Sequence, residues 1–131
     1  MEQHNMVKRI IFILTMLFAQ QVFCISAVFV SFSMPERLLD EIFKDASNHD
    51  VPVYLNGLID DDMQKTLGHL FKFSQKYPNL SVQIDPYAFK KYHINKVPAL
   101  VVDNGRAFDV LYGNVSIADG LLWIKRKGET Q

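Results

Sequence analysis

The run Ile94-Asn95-Lys96-Val97-Pro98-Ala99-Leu100-Val101-Val102, with Asn104-Gly105-Arg106 just after it, decides how the rest of the chain reads. Ala99 to Val102 is a continuous apolar stretch of strand-forming residues. Pro98 stands before it, where a strand tolerates a proline because no ladder donor is needed. Asn104-Gly105 is a tight-turn signal, so Ala107-Phe108-Asp109-Val110-Leu111-Tyr112 reads as the strand returning beside it. Gly113-Asn114 turns the chain again, and Ser116 opens a last helix that directs Ile117, Leu121, Leu122 and Ile124 toward a core. Lys125, Arg126 and Lys127 fall at its carboxyl end, where the helix dipole favours cations. Upstream, Asp85-Pro86 starts a short helical turn through Ala88, Phe89 and Tyr92. The alternating Leu80-Ser81-Val82-Gln83-Ile84 before it is a third strand.

Further out, Ala27 to Phe32 is β-branched, aromatic and almost wholly apolar, the pattern of a strand buried on both faces. Ser33-Met34-Pro35-Glu36 follows as a helix start, with Ser33 as the cap and Glu36 reaching back to it. Leu38, Leu39, Ile42, Phe43 and Ala46 then recur at helical spacing until Asn48-His49-Asp50. Val51 to Leu55 is the second strand, and Asn56-Gly57 turns the chain. Asp60-Asp61-Asp62 caps a helix expected to carry Met63, Leu67, Leu70, Phe71 and Ser74 on one side and to run to about Tyr77, before Pro78-Asn79. The order is β-α-β-α-β-(α)-β-β-α: an α/β domain with a mixed central sheet and helices on both faces. This arrangement resembles the thioredoxin-like fold. In that fold a cis proline opens the strand before the hairpin, so the resemblance implies a cis Val97-Pro98 bond.

The amino-terminal segment is of another kind. Lys8-Arg9 precede the ten-residue apolar run Ile10 to Ala19, which is short for a membrane span, and Gln20-Gln21 break it. Residues 1–24 therefore read as a signal peptide with cleavage after Cys24 or within three residues of it, and 25–131 as the folded domain; an uncleaved anchor is the alternative. Phe23 argues against lipoprotein processing, which needs a small residue before the cysteine. Cys24 is the only cysteine of the 131 residues, so no internal disulfide can form. The domain must then rest on its apolar core, to which ten Phe and five Tyr bring large buried area. Formal net charge is zero, and the basic residues are scattered. A nucleic-acid partner is not expected, and membrane contact is expected only through the signal segment during export.

A thioredoxin-like enzyme carries its reactive cysteine pair after the first long strand, at the amino end of the following helix, where the thiol pKa is lowered. Here that place holds Phe32-Ser33-Met34-Pro35. Ser33 has no histidine beside it to act as a base, and thiol-disulfide chemistry is excluded. His49, His69 and His93 lack the spacing of a metal site, and Asp60-Asp61-Asp62 lacks the alternation of a calcium loop. No catalytic residue, metal or cofactor is expected.

The resemblance extends beyond the fold. Val28 to Glu36, Asn56-Gly57-Leu58 with Asp62-Met63 and Thr66, and Val82-Gln83-Ile84-Asp85-Pro86 with Phe89, Tyr92, Ile94 and Val97 to Val102 resemble the conserved blocks of the TrbC family of F-type conjugative pilus assembly proteins. Gly113-Asn114 matches the turn before that family's last helix. Asn56 departs from the Arg that members usually carry there. The resemblance implies a non-catalytic periplasmic assembly factor of a type IV secretion system. Its expected partners are a TraW-like pilus assembly protein and other conjugation-apparatus proteins. A cysteine-less relative of a thiol-disulfide isomerase, acting as a periplasmic chaperone, is the alternative. On the first reading Ser33, Met34, Pro35, Val97 and Pro98 line a peptide or partner site, since an extended chain can pair beside the proline as an added strand.

Overall fold

The computed structural model describes residues 2–17 and 24–129. Phe18 to Phe23, with the Gln20-Gln21 break and most of the expected cleavage boundary, lie outside the described residues; Cys24 is exposed. The basic and apolar amino-terminal segment forms a helix, α1 (Glu2–Leu17), on which Met6, Ile10, Ile11, Phe12 and Ile13 are exposed. Among the described residues no helix is long and apolar enough to cross a membrane.

The remaining elements follow the expected order: β1 (Ile25–Val30), α2 (Glu36–Asn48), β2 (Val53–Leu55), a 3-10 turn (Ile59–Asp61), α3 (Met63–Lys76), β3 (Val82–Ile84), α4 (Pro86–Lys91), β4 (Ala99–Asp103), β5 (Phe108–Tyr112) and α5 (Ile117–Glu129). They make one sheet with strand order β3-β2-β1-β4-β5. The most continuously apolar strand, β1, lies at its centre. It runs parallel to β2, with Val28 opposite Val53, and antiparallel to β4, with Phe29 opposite Ala99.

Alternation along the strands divides the core in two. Val28 and Val30 face Leu39, Ile42 and Phe43 of α2, Phe73 of α3 and Ile117 of α5. Ala27 and Phe29 face the opposite side, against Ala88 and Phe89 of α4 and Tyr92 at its end. Edge-to-face ring pairs mark both layers, Phe43 with Phe73 at 4.6 Å and Phe29 with Phe89 at 4.9 Å between centroids. Each such fully buried ring contributes about 1.5–3 kcal/mol over exposure. In the hairpin, Gly105 takes a φ of 85°, and Asp103, just before the turn, accepts the Gly105 N–H at 2.8 Å.

Two local expectations, on α2 and α5, are corrected, and α3 turns most of its apolar side outward. Ser33 does not cap α2: the cap position is Pro35, with no side-chain cap, because Met34 N–H donates to Ser31 O at 3.1 Å and inserts a turn before the helix. On α3 the buried residues are Thr66 and Phe73, while Met63, Leu67, Phe71 and Ser74 are exposed and Leu70 is half-buried. The helix is rotated because the Thr66 hydroxyl is held inside by the loop before it. On α5, Ile117 is buried and Leu121 and Ile124 half-buried, but Leu122 is exposed; Gly120, next to Leu100 and Leu111, sets the close-packed side.

Candidate functional site at one end of the sheet

The pairing of Phe29 with Ala99 fixes what lies at one end of the sheet. Beyond it β1 runs out into Ser31–Pro35, while β4 is entered through Val97-Pro98. The Val97-Pro98 bond is cis. The five residues singled out in the sequence therefore share this end, although their side chains diverge. Met34 is half-buried against the core under α2, and Val97 is half-buried against the core under α4. Ser33 and Pro35 are exposed. Among the described residues the Val97 backbone has no hydrogen-bond partner, whereas Pro98 O accepts from Gly113 N–H at 3.0 Å.

Two clefts open here. The first, about 410 Å³, lies between Ser31–Ser33 and the loop Asn56–Asp60. Thr66 builds that loop: its hydroxyl accepts from Ile59 N–H at 2.9 Å and donates to Asp62 O at 2.7 Å, and the residue is fully buried. Asp62 N–H closes the turn on Ile59 O at 2.9 Å, and its carboxylate caps α3 through Lys65 N–H at 3.1 Å. Asp60 and Asp61 take left-handed φ values of 49° and 53°, which aspartate tolerates better than most residues. The Lys65 ammonium donates to the exposed Asp60 carboxylate and holds its pKa below 3.8. In the sequence, a threonine four residues after a capping acid is the available signal of the part Thr66 plays here.

The second cleft, about 290 Å³, is lined by Pro98, Glu41, Asp45 and the turn Gly113–Ser116, over a floor that includes Leu100. Asp45 accepts Ile117 N–H at 2.8 Å and pairs with His49 at 3.1 Å, so one carboxylate ties the end of α2 to the entrance of α5. Ser33 thus lines one cleft and Pro98 the other, while Met34 packs on one core layer and Val97 on the opposite one.

Ser33 Oγ lies 2.8 Å from Ser31 Oγ, a hydroxyl pair without a base in its hydrogen bonds. The nearby His69 ring meets the Phe32 ring, at 6.1 Å between centroids. Among the described residues no three His, Cys, Asp or Glu side chains are placed to hold a metal ion.

Residues 28–122 match the model of a family described as type-F conjugative transfer system pilin assembly protein. The chain belongs to that family. It is also 32% identical over 101 residues to the periplasmic protein TrbC of Escherichia coli (strain K12), a match covering 77% of this chain and 48% of that protein. The chain therefore spans about half the length of the curated relative it matches. Among solved structures it is similar to MTB dsbF in its mixed oxidized and reduced forms, with 17% identity, a TM-score of 0.50 and 75% of each chain covered. That likeness concerns the fold, which is thioredoxin-like. The family's match begins at Val28 and takes in the whole sheet end described above.

Proposed function

We propose that the chain is a non-catalytic periplasmic factor in the assembly of a type-F conjugative pilus, and that it works by holding an extended segment of another assembly protein across the sheet end. Family membership supports the pilus role, and the relative's name supports the periplasmic location. The observation that carries the binding mechanism is the half-buried Val97, whose backbone N–H and C=O are unpaired among the described residues beside two clefts. An added strand supplies the hydrogen bonds such a position lacks, and the flanking clefts take its alternate side chains. Ser33, Met34, Pro35, Val97 and Pro98 are the contact residues on this reading. Residues 1–24 are its export signal, and a TraW-like assembly protein is its partner.

The test is copurification of conjugation-apparatus proteins with the tagged chain, alongside thermal melting and a pilus count. Ser33→Trp fills the mouth of the first cleft from an exposed position, and Val97→Asp places a charge beside Pro98. Ser33→Trp is expected to melt like wild type while losing partner and pili. Full partner recovery and normal pili in both variants, with both folded, would place the interface elsewhere.

A further inference from the structure

The geometry points to β5 as a self-pairing edge, through which two copies of this chain join their sheets antiparallel about Val110. Among the described residues the sheet ends at β3 on one edge and at β5 on the other, with no further strand beside either. The β3 edge is only Val82–Ile84, set between Pro78-Asn79 and Asp85-Pro86. The β5 edge is five residues, Phe108-Asp109-Val110-Leu111-Tyr112, without proline or lysine to blunt it. Such an edge is a template for another strand.

Its outward groups can be assigned. Asn104 N–H donates to Ala107 O, and Gly113 N–H donates to Pro98 O. With the β4–β5 register and the alternation of an antiparallel ladder, Asp109 and Leu111 bond inward to β4. Phe108, Val110 and Tyr112 therefore turn their N–H and C=O away from the sheet. The strand reads nearly the same in both directions, aromatic-x-Val-x-aromatic. Pairing Val110 with Val110 of a second copy sets Phe108 opposite Tyr112 and Tyr112 opposite Phe108. Each of these pairs exchanges both backbone hydrogen bonds and stacks an aromatic cross-strand pair on one face. This self-complementarity is what a two-fold interface requires and selects a second copy over an unrelated strand.

The exposed apolar surface converges on the same edge. Phe108 and Tyr112 are 41% and 42% exposed, and Trp123 is 51% exposed. Lys127 reaches Asp109 of β5 at 3.1 Å and lies over the Trp123 ring, so Trp123 stands on the β5 side of α5. Whole aromatic side chains bury about 150–250 Å² each. A short ladder with three half-exposed rings thus stays below the roughly 800 Å² per partner of a standard interface. The dimer is accordingly weak, with dissociation in the range of about 10 μM to 1 mM.

Sedimentation of the periplasmic form, purified from cells and examined across that concentration range, tests this. Wild type is expected to rise in apparent mass with concentration, from the monomer's toward twice that value. Val110→Pro removes a donor that only a partner strand would use; Tyr112→Lys puts a charge on the edge. Both should keep a cooperative melt and weaken self-association by roughly tenfold or more. If Val110→Pro does not fold, Tyr112→Lys decides. A chain monomeric throughout, or a dimer unchanged in the folded variants, overturns the inference. So does a monomeric chain whose edge variants lose a different protein. The groove variants leave this dimer intact, which keeps the two readings separable.

Discussion

At the scale of single residues, two buried polar side chains, Thr66 and Asp103, hold turns in place. Asp103, at the end of β4, accepts from Gly105 N–H and from Tyr92 O–H, both at 2.8 Å, with the Lys91 ammonium 3.5 Å away. The Gly105 bond first, then the Tyr92 bond, hold its carboxyl below 3.8 against the opposing effect of burial. Its folded pKa lies below the unfolded one, so its stabilisation is fully present above about pH 3.8 and is lost as pH falls through the folded value. Asp103→Asn should therefore cost about 1.5–3 kcal/mol at neutral pH, the range for hydrogen bonds to charged groups. Denaturant unfolding across pH should show the gap from wild type narrowing below about pH 3.8. An unchanged gap down to acid pH would mean that the Asp103 charge is not the group responsible.

At the scale of elements, order, sheet membership and the central place of β1 were legible, because strand alternation, turn residues and Asp62, Asp85 and Ser116 at helix starts all agree. Helix rotation was not. On α3 the apolar residues Met63, Leu67 and Phe71 outnumber what a helix at the edge of the sheet can bury, and a hydroxyl, Thr66, takes the innermost place because Ile59 N–H needs it. Periodicity finds an apolar stripe but not which part of it meets the core. At the candidate site the sequence located the Ser33–Pro35 and Val97-Pro98 segments, whereas the loop Asn56–Asp60 that walls the first cleft depends on left-handed residues that no apolar pattern records. Gly120 carried a usable signal of close approach. A Cβ there would lie 2.6 Å from Leu100 Cδ2 and 3.4 Å from Leu111 Cδ2. Leu100 is itself buried, so Gly120→Ala should push α5 off β4. The overpacking, about 1–3 kcal/mol, exceeds the gain in helix propensity of about 1 kcal/mol. A lowered unfolding midpoint would be the outcome; a raised one would show that Leu100 has room to move.

At the scale of the whole molecule, a basic and apolar amino-terminal segment precedes a domain whose family match starts at Val28. If residues 1–24 are removed on export, mass spectrometry of periplasmic extract should find an amino terminus between residues 24 and 28. Intact Met1 on the soluble protein would contradict the export reading. The sheet's connectivity adds a consequence in time. The central strand β1 is the first element of the domain to be made, yet the partner on its β4 side, where Ile25 meets Asp103, arrives about seventy to eighty residues later. Until then the middle of the sheet has one flank, and the entropy of closing so long a loop must be met before that flank can form. The sheet is thus completed only once β4 and β5, late in the chain, have been made.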